Sequence, residues 1–169
     1  SGVCDPYQPL EAAYELTRRC LEILVQHYWP ITVQTKSPLV LRDLKLFQQG
    51  NDIEVGLSVT SGKERVRRLF EPHAPTIKER IRALGELHVA GIRTYAMIAP
   101  MLPGVEELAD GLKGKVDYVL IDKMNYHYGD WVYRKYHLEE AMRYDFFFSK
   151  GNELASAFEK QGIECRVLF

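Results

Sequence analysis

Lys36 closes a stretch that reads as a strand, Ile31–Lys36, and an ammonium at a strand end can pair with a ligand carboxylate or phosphate. The plainer use of such a lysine is to snorkel toward the mouth of a barrel. Comparable ends of predicted elements carry Cys4-Asp5-Pro6-Tyr7-Gln8-Pro9, Ser58-Val59-Thr60, Ala99-Pro100 and Asp122-Lys123-Met124-Asn125. The three cysteines, Cys4, Cys20 and Cys165, match no zinc or cluster spacing. His27, His73, His88, His127 and His137 show no ligand pattern either, so no metal site is expected; His88 fits the macrodipole of a helix C-terminus.

The elements that must position these groups alternate. Apolar residues Leu10, Ala13, Leu21, Leu24, Val25 and Tyr28 share one face of a predicted helix that Pro30 ends. Ser37-Pro38 opens a second helix, with Leu41, Leu44 and Phe47 inward. Ile53–Thr60 is a strand, and Lys63–Phe70 a short helix. Thr76 and Glu79 make a capping box for a helix carrying Ile77, Ile81, Leu84 and Leu87, which Gly91 closes. Strands Ile92–Ala99, Val116–Asp122 and Ile163–Phe169 follow, with helices expected near Val105–Leu112, Asp130–Tyr144 and Asn152–Gln161.

Strands alternating with helices imply an α/β fold with parallel pairing. The absence of a Gly-rich dinucleotide fingerprint favours a barrel over an open doubly wound sheet. In a barrel, one alternation faces the helices and the other the lumen. That parity turns Thr32, Gln34, Lys36, Glu54, Gly56, Ser58, Thr60, Tyr118 and Asp122 inward. Unpaired, each such buried polar group would cost roughly 1–3 kcal/mol. The lumen therefore holds either a ligand and water or a network in which these groups satisfy one another.

The 169 residues fit a single domain, 1–169. With 46% apolar and 27% charged residues the chain reads as a soluble globular protein, and a net charge of −1 removes any global electrostatic case for nucleic acid or an anionic membrane. No run is long enough to span a membrane and none reads as a secretory signal; sparse, scattered cysteines point to a reducing cytoplasm.

Five blocks, in order, carry a resemblance. Asp5-Pro-Tyr-Gln-Pro-Leu-Glu11, Leu16-Thr-Arg-Arg-Cys-Leu-Glu22, Gln34-Thr-Lys-Ser-Pro-Leu-Val-Leu-Arg-Asp43, Phe70-Glu-Pro-His-Ala-Pro75 and Ala90-Gly-Ile-Arg-Thr-Tyr-Ala-Met-Ile-Ala-Pro100 with Leu102-Pro-Gly104 resemble the spore photoproduct lyase-like branch of the radical S-adenosylmethionine family. The likeness runs from about Val3 to Asn125. It implies a partial TIM-type β/α barrel in which a 4Fe–4S cluster reduces S-adenosylmethionine and the resulting radical abstracts a hydrogen from substrate. By motif position, Lys36 and Ser58 resemble residues that grip S-adenosylmethionine, Ala99 and Pro100 the strand end beside its adenine, and Asp5 and Gln8 the end of the family's second strand. Asp122 and Asn125 fall where substrate would be met. The family's best-known member implies a DNA-repair substrate.

The resemblance has a gap. The family's Cys-x-x-x-Cys-x-x-Cys is absent, so the cluster ligands are not in this chain, and the sequence is expected to be an inactive piece of a longer enzyme, with the first strand and cluster loop missing. A second reading is a non-catalytic nucleotide- or anion-binding β/α module; a third is a structural piece whose open edge pairs with another chain. Cys4 falls near a thiol that returns hydrogen to product in spore photoproduct lyases; its plainer reading is a small inert cysteine. Finally, Tyr126, Tyr128, Trp131, Tyr133 and Tyr136 interleave with Arg134, Lys135, His137 and Arg143. Such a stretch can stack unpaired bases. The plainer reading packs Trp131, Leu138 and Met142 on the barrel.

Overall fold

Aliphatic and β-branched residues recur in five short runs, and in the computed structural model each run is a strand: β1 (Ile31–Thr35), β2 (Ile53–Ser58), β3 (Arg93–Ile98), β4 (Tyr118–Ile121) and β5 (Glu164–Val167). The structure describes residues 4–169; Val3, where the family likeness begins, lies outside them. All four pairings are parallel and the spatial order is the sequence order, β1-β2-β3-β4-β5. A doubly wound sheet would reverse its strand order at a switch point. Monotonic order is the arc of a β/α barrel, as the sequence predicts.

The alternation sorts the two faces. Ile31, Val33, Val55, Leu57, Ala96, Ile98, Val119 and Ile121 are buried on the outer face, where α5 (Ile77–Val89) packs on β2 and β3 and α8 (Tyr144–Glu159) on β5. Removing each large aliphatic side chain from water contributes about 1.5–3 kcal/mol. Thr32, Gln34, Arg93, Glu164 and Arg166, on the inner face, are exposed. The capping box of α5 is present: Thr76 Oγ1 accepts from the Glu79 amide at 3.2 Å and Glu79 accepts from the Thr76 amide at 2.8 Å. Gly91 follows α5 at φ +81, the left-handed geometry expected of a closing glycine.

The short helices expected in mid-chain are α4 (Glu64–Phe70) and α6 (Leu108–Leu112), and four other predicted helices are revised. The first is two pieces, α1 (Glu11–Tyr14) and α2 (Leu16–Gln26), broken where Glu15 takes φ +51. Leu10, Ala13 and Tyr28 consequently face solvent, and only Leu21, Leu24 and Val25 turn inward. The reason is electrostatic: Glu11 is buried and turns back to accept from the amides of Thr17 (2.9 Å) and Arg18 (3.2 Å) and from Arg42 Nη2 (2.8 Å). Second, the helix opened by Ser37 is 3₁₀ over Pro38–Asp43 and becomes α3 only at Leu44–Phe47. Third, the helix expected over Asp130–Tyr144 stops at Lys135 as α7 (Asp130–Lys135), because His137 sits at φ +54, and α8 begins at Tyr144 rather than Asn152.

Asp43 is the hub of the contacts that hold the N-terminal segment. Asp43, fully buried, accepts from Arg18 Nη1 (2.6 Å), Arg42 Nε (3.0 Å) and Nη2 (2.8 Å), and the Tyr7 hydroxyl (3.0 Å). Asp43→Ala strips both arginines of that partner, so it should lower unfolding free energy by about 3–5 kcal/mol in urea titration; a cost within 1 kcal/mol would show that the cluster is not what docks the segment. Deeper in the inner face, a Cβ on Gly56 would overlap the ring of Tyr95. Gly56→Ala should therefore cost about 1–3 kcal/mol, and Tyr95→Leu in the same chain should recover part of it, as a double-mutant cycle would read.

Candidate functional site

The lower half of the inner face is filled by its own residues. Tyr95 and Tyr118 stack at 5.1 Å over Gly56, Tyr118 donates to Glu54 (3.0 Å), Thr32 donates to Glu54 (3.1 Å), and Arg93 and Arg166 lie over the Tyr118 ring. Burial pushes both phenols up to about 12, with Glu54 adding to the effect, so they stay neutral donors. Here the self-satisfying network, rather than a wet lumen, is what the polar parity meant. Tyr95, absent from the predicted inner set, completes it.

The upper half differs. Gln34 Nε2 donates to Ser58 Oγ at 3.3 Å, so β1 and β2 present one polar face. The paired register ends at Thr35–Leu57, and Lys36, the next residue, is linked to Ser58 through Glu71 and Arg80. Asp5 fixes the lysine's backbone: its carboxylate accepts from the Lys36 amide (2.8 Å), the Tyr7 amide (2.9 Å) and the Thr35 hydroxyl. Asp5 is spent on that turn and serves as a clamp rather than an open ligand group. Gln8 is exposed, and among the described residues its side chain takes no hydrogen bond.

Glu71 and Arg80 join the two candidate grips, and neither was singled out in the sequence. Arg80 is fully buried; its Nη1 donates to the Ser58 carbonyl (3.0 Å), its Nε to the Pro75 carbonyl (2.9 Å), and its Nη2 lies 2.7 Å from Glu71 Oε2 as an ion pair rather than an aligned hydrogen bond. Glu71 Oε1 lies 3.8 Å from Lys36 Nζ, whose side chain keeps 39% exposure. A signal was available: Arg80 occupies the apolar stripe Ile77, Arg80, Leu84, Leu87 of α5, where an unpartnered cation would be prohibitive.

The remaining candidates cluster at the carboxyl ends of β3 and β4. Ala99 and Pro100, joined by a cis peptide, follow β3 half-buried. The Asp122 amide donates to the Ile98 carbonyl (3.1 Å), and the Met101 amide to the Asp122 carbonyl (2.9 Å). The Asp122 carboxylate accepts from the Lys123 amide (2.8 Å) and from Asn125 Nδ2 (2.7 Å), leaving Asn125 at the rim. Beyond it, Trp131 is exposed, correcting its packing on the barrel; Val132 and Tyr133 take the buried positions of α7. Tyr126 stacks on Tyr128, and Lys135 lies over Trp131 and Tyr136. His88 has more than a helix end: its Nδ1 lies 3.2 Å from Thr94 Oγ1 and 3.4 Å from Asp117.

Residues 5–109, more than half of the chain, match the radical SAM superfamily. The chain belongs to that superfamily. An uncharacterized protein of Methanocaldococcus jannaschii is 39% identical over 103 residues, 61% of this chain and 39% of that protein. One from Mycobacterium tuberculosis is 29% identical over 111 residues, 64% and 33%. A radical SAM Nalpha-GlyT isomerase of Pseudomonas phage M6 is 25% identical over 105 residues, 62% and 22%. Spore photoproduct lyase, solved with a dinucleoside spore photoproduct, superposes with a TM-score of 0.62 at 16% identity, over 94% of this chain and 57% of that one, and shares the fold. The chain thus spans about two fifths or less of these curated relatives.

The superfamily implies S-adenosylmethionine and a 4Fe–4S cluster. The strand-end donors fit the first: the Lys36 ammonium and the Ser58 hydroxyl are groups that suit a carboxylate. They do not fit the second, since among the described residues no three of His, Cys, Asp or Glu gather to hold a metal ion, and Cys4 and Cys20 are exposed and apart from Cys165. No helix among the described residues is long and apolar enough to cross a membrane. Burial pushes the Cys165 thiol up to about 11. Iodoacetamide at pH 8 should therefore alkylate Cys4 and Cys20 well before Cys165; peptide mass spectrometry showing Cys165 first would contradict the packing of β5.

Proposed function

We propose that this chain forms the S-adenosylmethionine-binding strand ends of a radical SAM enzyme and that the cluster's thiolates come from residues outside this sequence. The observation that carries the reading is the run of contacts from the Lys36 ammonium through Glu71 and Arg80 to the Ser58 carbonyl. When bound, S-adenosylmethionine supplies a 5′-deoxyadenosyl radical for hydrogen abstraction, given an electron from the cluster. The chain's residues bind and orient. Lys36 pairs with the ligand carboxylate, Ser58 donates to it, and the backbone around Ala99 and Pro100 borders the adenine. Asp5 holds the Lys36 backbone, and the Tyr95–Tyr118 stack closes the floor of the site against water from below.

On this reading the chain alone assembles no cluster and does not cleave S-adenosylmethionine. Cys4, exposed at the mouth, is a candidate hydrogen donor in the intact enzyme. Asp122 and Asn125 lie toward substrate. The exposed ridge of Tyr126, Tyr128, Trp131 and Tyr136 with Lys135 supports an unpaired nucleic acid strand as the partner, in keeping with a DNA-repair role. The second reading, an anion- or nucleotide-binding module without radical chemistry, rests on the same ammonium.

Calorimetric titration separates the two. S-Adenosylmethionine should bind, and Lys36→Ala should weaken it about 10- to 100-fold, the range for a lost hydrogen bond to a charged group. Equal affinity for ATP and S-adenosylmethionine would favour the anion module, and an unchanged Lys36→Ala affinity would remove the lysine from the site.

A further inference from the structure

Glu71 stands between two cations of unequal burial. Its Oε2 lies 2.7 Å from Nη2 of Arg80, which is fully buried, and its Oε1 lies 3.8 Å from Nζ of Lys36, which is partly exposed. Among the described residues Glu71 is the acid within ion-pair distance of that ammonium. A carboxylate with so little contact with water keeps a cation beside it, because an uncompensated buried charge is costly.

The backbones on both sides are pinned, so the side chains alone decide the pairing. The Glu71 amide donates to the Arg67 carbonyl at 2.6 Å, and Arg67 Nη1 donates to the Glu71 carbonyl (2.9 Å) and to that of Ala74 (2.7 Å). Glu64 takes up the Arg67 charge, so Arg67 does not compete for the Glu71 carboxylate. Asp5 likewise holds the Lys36 amide (2.8 Å), with a carboxylate that also serves the Tyr7 amide and the Thr35 hydroxyl.

Two cations therefore compete for one carboxylate, and Arg80 has the closer hold. Were position 80 neutral, Lys36 would be the cation within reach, and closing 3.8 Å to direct contact would take up its charge. We infer that Arg80 is a positioning residue: it holds Glu71 back from Lys36 and so keeps the ammonium after β1 free for an anionic ligand. This rests on the proposed reading of the strand ends for the identity of that ligand; the competition itself involves charges of this chain alone. Arg80 also donates to the Ser58 and Pro75 carbonyls, so the test has to separate its charge from its hydrogen bonds.

The reactivity of Lys36 reads the competition without a ligand. In the 169-residue chain, Lys36 is acetylated with sulfo-N-hydroxysuccinimide acetate and its rate is compared by peptide mass spectrometry with that of exposed Lys113. Arg80→Met should slow Lys36 about 3-fold, since an ammonium held in an ion pair is the poorer nucleophile. Mere loosening of the site would expose the amine and speed the reaction, the opposite sign. Arg80→Met/Glu71→Gln removes both charges and should restore the wild-type rate, although the bonds to Ser58 and Pro75 are still missing. Arg80→Lys keeps the charge without the fork and should also react at the wild-type rate; these two variants carry the test should Arg80→Met fail to fold.

Calorimetry with S-adenosylmethionine on the same series should show affinity falling about 10-fold in Arg80→Met and recovering in the double variant. The expected labelling pattern without S-adenosylmethionine binding would remove the ligand reading and leave the positioning role standing. An Arg80→Met chain whose Lys36 reacts as fast as in the wild type or faster would overturn that role. So would a slowed Lys36 in the double variant or in Arg80→Lys.

Discussion

A single buried guanidinium sets the geometry on which the strand ends depend. Arg80 comes from the middle of a helix, yet its three nitrogens reach the carbonyl ending β2, the carbonyl of Pro75 and the carboxylate of Glu71. Helix, strand and loop are thereby locked into one relation, with Ser58 at its centre. A fully buried arginine is tolerable only when its charge is balanced and its donors are used. The loop Phe70–Pro75 therefore has to return to the sheet, and Glu71 has to sit where it can also face Lys36. Replacing Arg80 would leave Glu71 uncompensated and loosen the carboxyl end of β2 at once.

The polar inner face divides into two halves by a steric choice made at one position. With no Cβ at Gly56, the Tyr95 ring lies over β2, stacks on Tyr118 and fills the lower lumen. Glu54 then satisfies Tyr118 and Thr32, and what looked like a hydrophilic channel becomes a closed floor. Above that floor Gln34 Nε2 donates to Ser58 Oγ. One glycine thus decides where the tyrosine stack sits in the lumen.

Parallel strands and their faces were legible because a buried sheet repeats its side chains every two residues, and Ile53–Thr60 shows that period without interruption. The common face of Gln34 and Ser58 followed from the same count. Less legible was anything set by contacts distant in sequence. Glu11 looks like a surface residue of an amphipathic helix; only the arginines of a segment some thirty residues on draw it inside and break that helix at Glu15. Trp131 and Tyr133 are two residues apart on one short helix, and which of them faces inward depends on Phe70, a residue of another element. Local periodicity over six residues of α7 cannot choose between them.

The charges around Lys36 bear on the kind of ligand the proposed site would hold. Lys36, Arg80 and Glu71 sum to one positive charge, but it is not shared evenly. Glu71 is committed to Arg80 at 2.7 Å, in the buried half of the triad, and reaches Lys36 only at 3.8 Å. A contact of that length at a partly exposed ammonium is worth little, typically under 1 kcal/mol, so the lysine can turn to another partner at small cost. The buried pair meanwhile keeps its own balance. What remains is one mobile cation held by Asp5 at its backbone, beside the hydroxyl of Ser58. On the proposed reading, a single carboxylate carried by an otherwise zwitterionic molecule would meet that ammonium and that hydroxyl.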